Sequence, residues 1–128
     1  MTESPDLAHR IDIIERGYEY LLAYAAQGRQ DDAGSEARST LERIHAALDG
    51  LGRKARDAFS ADGAIGQADY DVAAFLDAVD RDSRTARGAV GLVLSRAKIS
   101  SLLVDNLNAS VHLRALLTDV FLLEQAQK

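Results

Sequence analysis

At 128 residues with a net charge of −5, the chain is long enough for one domain with a real core and short enough to gain from oligomerisation. It has no cysteine, which excludes disulfides, zinc–thiolate sites and thiol nucleophiles. No apolar run is long enough to cross a bilayer and no charged–apolar–small leader opens the chain, so we expect a cytoplasmic protein with no membrane role, residues 1–128 forming a single helical-bundle domain.

The single proline, the abundant alanine and the absence of tryptophan fit an all-helical chain. Ser4 can cap a first helix, with Pro5 at its first position and Asp6 placed for the helix dipole. Leu7, Ile11, Ile14, Tyr18, Leu21, Leu22 and Ala25 follow at three- and four-residue steps as the buried stripe, and Gly28 is the stop. A narrower second stripe holds Ile13, Gly17, Tyr20 and Tyr24, where Gly17 would let another backbone approach closely. It covers either a groove within the same bundle or a contact between molecules.

A polar connector from Arg29 to Gly34 leads to a second helix, about Ser35 to Phe59, with Ala37, Leu41, Ile44, Leu48, Leu51, Ala55 and Phe59 on one face. Gly50 and Gly52 weaken it and mark a candidate kink. Ser60 to Ala68 form a loop, with Asp62-Gly63 and Gly66 as breakers. Asp69 can cap a third helix whose stripe is Val72, Phe75, Leu76, Val79, Ala86, Val90, Val93, Leu94 and Ala97. A break near Lys98 to Ser101 starts the fourth helix, with Asn106 to Ser110 as the other candidate break. Four helices with short connections predict an all-α, antiparallel up-down four-helix bundle.

The fourth helix is the most informative. Leu102, Ala109, Leu113, Leu116, Val120 and Leu123 fall on one face, Val104, Leu107, Val111 and Leu122 on a second, and Leu103, Leu117 and Phe121 widen it. A helix apolar on more than one side is buried on more than one side, which in so short a chain points to a second copy or a partner protein. The predicted interface is therefore Ile13, Gly17, Tyr20, Tyr24, Leu103, Val104, Leu107, Val111, Phe121 and Leu122.

Signals for chemistry are sparse. Glu42-Arg43-Ile44-His45 has the Glu-x-x-His spacing of ferritin-like di-iron bundles, and it resembles them further if Glu15 or Glu19 on the first helix supplies a bridging carboxylate. That resemblance makes Glu15, Glu42 and His45 the metal candidates. The core direction set by Leu41, Ile44 and Leu48 leaves His45 on the flank and turns Glu42 away from it. Asp105, Asn108, His112 and Asp119 line one strip of the fourth helix, as metal ligands or a solvent edge would. The loop from Ser60 to Asp69 resembles the centre of a calcium-binding EF-hand, although Ala58 stands where the first carboxylate belongs. The Arg38 to His45 spacing resembles the Arg–His pair of helical HEPN ribonucleases, and His45 itself the histidine of phosphotransfer bundles, with Asp49 one turn on to repel a phosphoryl group. Tyr24-Ala25-Ala26-Gln27-Gly28 followed by Ala33 resembles one tetratricopeptide turn, but no period follows. No Gly-rich phosphate loop, Ser–His–Asp order or HExxH motif is present.

Arg81, Arg84 and Arg87 lie among Asp77, Asp80 and Asp82, the pattern of a solvated mixed-charge face and not of the coherent positive surface that nucleic acid needs. The length, acidity and paired amphipathic helices resemble small helical export chaperones of the flagellar type, which implies a protein partner. The expectation is a non-enzymatic bundle without a cofactor, forming a homodimer or higher oligomer and acting as adaptor, chaperone or assembly factor. The alternative is a metal-binding bundle built on Glu42, His45 and the first-helix carboxylates.

Overall fold

A computed structural model describes residues 5–61 and 70–127. Among these residues the chain is all helix and turn, with six helices: α1 (Pro5–Ala25), α2 (Ala37–Leu48), α3 (Leu51–Ala61), α4 (Tyr70–Leu94), α5 (Ser101–Ala109) and α6 (Val111–Ala126). The all-α reading holds, while the count of four helices is corrected to six. Ser4, the loop at 62–68 and the Asp69 cap lie outside the described residues. Ala58 and Ser60, placed in a loop or calcium-like turn by their letters, belong to α3.

Both additional breaks have local causes. Asp49 leaves the helix with ψ 115° and Gly50 adopts φ +70°, a left-handed conformation that glycine accepts without a Cβ clash. Arg10 of α1 then caps the end of α2, donating to the carbonyls of Ala47 (3.2 Å) and Asp49 (2.7 Å). The second break is Ser110, which is extended (φ −62°, ψ 138°) and accepts a hydrogen bond on Oγ from the Leu113 amide. One serine thus ends α5 and caps α6. Ser100 likewise caps the start of α5, accepting from Leu103 N at 3.0 Å.

α1 packs on α2, α5, α3 and α6, and α4 packs on α6, α2, α3 and α5, so the two longest helices flank one shared core. All seven stripe residues of the expected second helix are buried, straight across the Asp49–Gly50 break. Leu7, Ile11, Ile14 and Leu21 meet them from α1, and Leu76, Val79, Ala86, Val90 and Val93 from α4. Leu22 and Ala97, expected in the core, are exposed. Gly52 lets α3 and α4 touch: a Cβ there would lie 2.4 Å from Asp80 Cα.

Candidate association surface

The break at Ser110 reorders the apolar residues of the C-terminal region. Read as one helix they form two faces. As α5 and α6 they have separate phases, and each helix buries its own stripe. Val104 and Leu107 of α5 are buried in the core, with Leu103 half-buried beside them. Leu113, Leu116, Leu117, Val120 and Leu123 form the buried side of α6. Val104 and Leu107 are thus enclosed by the chain's own helices and offer nothing to a second molecule.

Three of the expected contact residues do reach solvent: Val111 at 68%, Leu122 at 56% and Phe121 at 45% exposure. Val111 and Leu122 are three helical turns apart and so lie on one line of α6, with Phe121 alongside. Ala115 and Thr118 lie between them on the same side. Leu102 of α5 is also exposed, at 69%, although its stripe position implied burial.

The stripe on α1 has a different role. Gly17 is buried, and a Cβ on it would lie 2.6 Å from Ile44 Cγ1 and Cδ1 of α2. The close approach inferred at Gly17 is therefore with α2 of the same chain. Ile13, Gly17 and Tyr20 line a small cleft between α1 and α2. Tyr20 accepts from Glu36 N at 3.0 Å, just ahead of α2. Tyr24 is fully buried, stacks on Tyr20 with centroids 6.2 Å apart, and lies 5.7 Å from the Arg29 guanidinium carbon. Its contacts are internal, because a buried phenol needs a partner and finds the Ile99 and Asp31 carbonyls. Burial pushes its pKa above the usual tyrosine value.

Around Tyr24 the connectors that follow α1 and α4 are tied together. Ser101 Oγ donates to Tyr24 O (2.7 Å) and accepts from Arg29 N (2.8 Å). Asp32 accepts from Ile99 N at 2.9 Å and from Arg38 Nε at 3.1 Å, contacts that lower its pKa, the Ile99 amide most. Arg38 then donates to the carbonyls of Leu94 (3.1 Å) and Arg96 (2.9 Å), closing the end of α4. Sequence reasoning missed Asp32 and Arg38 as a joint between the connectors, since the bonds they make to Leu94, Arg96 and Ile99 span more than fifty residues. Arg38 is fully engaged here and does not stand as a partner to His45.

The metal candidates do not converge. Glu42 is exposed on α2, Glu15 is half-buried on α1, and His45 faces Gly91 of α4. Among the described residues no three His, Asp or Glu side chains come together in a metal-binding group. On the strip expected at a solvent edge, Asp105 and His112 are exposed. Asn108 is buried and donates from Nδ2 to Leu21 O at 3.1 Å, joining α5 to α1.

Asp119 of α6 is half-buried against Asp82 of α4. Burial first, and the neighbouring carboxylate second, raise its pKa from 3.8 to about 7. The folded protein therefore holds a proton that the unfolded chain releases near 3.8. The stability this contributes is complete below that value, falls as pH rises toward 7, and is absent above it. Asp119→Asn should flatten this part of the profile and raise the melting temperature at pH 8 relative to the parent. Equal melting temperatures of parent and variant at pH 5 and pH 8 would contradict it.

No family model matches the chain, and no curated protein or solved structure matches it.

Proposed function

We propose that this is a non-enzymatic, cytoplasmic, all-helical protein that acts through protein–protein association, with a second copy of itself as the first partner, in an adaptor, chaperone or assembly role. In this reading α2–α3 and α5–α6 each serve as one bent arm beside the unbroken α1 and α4, an up-down arrangement of four arms. The observation that carries it is the exposed line of Val111, Phe121 and Leu122 on α6. Covering these side chains is worth roughly 1 kcal/mol each, given that between about a third (Val111) and about half (Phe121) of each is already buried. A two-fold contact doubles the sum, because the same patch is used on both copies.

Val111→Glu and Leu122→Glu test this together. Both positions are exposed, so folding stability should change by only about 0.5 kcal/mol. In a two-fold contact the new carboxylates would be brought together without partners, which is costly. The doubly substituted protein should keep its helical circular dichroism and run as a single chain, while the parent does not. Equal masses for parent and variant would rule out this surface.

A further inference from the structure

Helix α4 carries Gly88 in its interior and Gly91 in its last turn. Glycine within a helix costs about 1 kcal/mol relative to alanine. At Gly17 and Gly52 the close approach of a neighbour accounts for the residue. Here it does not: a Cβ on Gly88 would meet nothing within 4 Å, and one on Gly91 would sit 3.7 Å from His45 Nε2, an ordinary contact. Both glycines line a cleft of roughly 540 Å³ between the α2–α3 break and α4.

Three guanidiniums and one imidazole border the same cleft: Arg53, Arg84, Arg87 and His45. Arg84 is paired with Asp80 at 3.1 Å. Arg87 has one long bond, 3.4 Å from Nε to the His45 carbonyl. Arg53 lies over Gly50, with a terminal nitrogen 3.0 Å from where a Cβ would be. Among the described residues, no carboxylate forms an ion pair with Arg53 or Arg87. Asp49 and Asp80 also line the cleft, so three fixed positive charges stand against two negative ones in a chain whose net charge is −5.

We propose that this cleft binds a small, soluble, phosphate-bearing anion. Guanidinium forks match phosphate oxygens in pairs, and two of the three here have no carboxylate to release first. His45 adds a further N–H donor, and the bare backbone at Gly88 and Gly91 gives the ligand room to approach. No phenylalanine or tyrosine lines the cleft, so the one ring a nucleobase would find there is the small His45 imidazole. A compact phosphate or diphosphate ester fits this set of groups better than a nucleic acid.

Pyrophosphate titrated at constant ionic strength is the probe, read by NMR of the three histidine rings. The His45 signals should shift and saturate, while those of exposed His9 and His112 stay in place. Arg53→Gln combined with Arg87→Gln should weaken binding at least roughly tenfold, through loss of charge-assisted hydrogen bonds. Gly88→Leu fills the cleft without altering its charge and favours the helix, so it should fold and fail to bind. The proposal is overturned if His45 does not respond, if sodium chloride at matched ionic strength gives the same shift, or if the folded Gly88→Leu protein binds as the parent does. A second arm uses vesicles of phosphatidylcholine with phosphatidic acid. Co-sedimentation that the arginine variant loses, with free pyrophosphate inert, would assign the cleft to lipid headgroups and overturn the small-ligand proposal.

Discussion

Gly52→Ala should lose about 3 kcal/mol of folding stability, the upper end of what an added methyl group costs in a packed interior. The methyl would lie 2.4 Å from Asp80 Cα and 2.3 Å from its Cβ, so backbone has to move and α3 has to part from α4. Helix propensity acts the other way, since alanine is favoured over glycine by about 1 kcal/mol, and the steric term has to exceed that. Gly17→Ala is the graded comparison. There the obstacle is the side chain of Ile44, which can adjust in part, so the loss should be smaller. Urea unfolding followed by circular dichroism measures both. A Gly52→Ala protein as stable as the parent would mean that α3 and α4 do not cross at Gly52.

Removing the Arg38 side chain should cost about 2–3 kcal/mol, the range for losing charge-assisted hydrogen bonds and leaving their acceptors without a partner. Arg38→Ala strips the ion pair from Asp32 and uncaps the Leu94 and Arg96 carbonyls in one step. Arg38→Lys should recover little of this. An ammonium can replace the charge, but it cannot span a carboxylate and two carbonyls as a planar fork does. If Arg38→Ala changed stability by less than about 0.5 kcal/mol, it would behave like an ordinary surface residue, and the tie between the two connectors would carry no weight.

The sequence displayed the core more clearly than the architecture. The stripe from Ala37 to Phe59 could be read correctly because the break at Gly50 keeps its phase, and Leu48 and Leu51 both still point inward. Ser110 had the opposite effect. A single extended residue resets the phase between α5 and α6, so apolar residues with separate helical faces looked like one helix with too many. That misreading placed Val104 and Leu107 on an interface when both are core. Tyr24 was misplaced for a related reason. Its partners, the Ile99 carbonyl and Ser101, lie some seventy-five residues away, and no local periodicity encodes them. The sequence marks Gly17 as a site of close approach, but its spacing does not say what approaches, and the neighbour is the Ile44 side chain of α2 and not a backbone. Asp32 reads as part of a polar connector and Arg38 as a partner for His45, because only the folded chain brings the end of α4 to them. Val111, Phe121 and Leu122 were legible as excess apolar surface, and they are the part of the expected interface that remains exposed.

Association through α6 is the central claim, and the molar mass of the dilute protein tests it most directly. Light scattering across the micromolar range should give a multiple of the 13.8 kDa chain mass, falling toward one chain on dilution. A constant 13.8 kDa at every concentration would contradict self-association and leave the exposed line on α6 without its proposed partner.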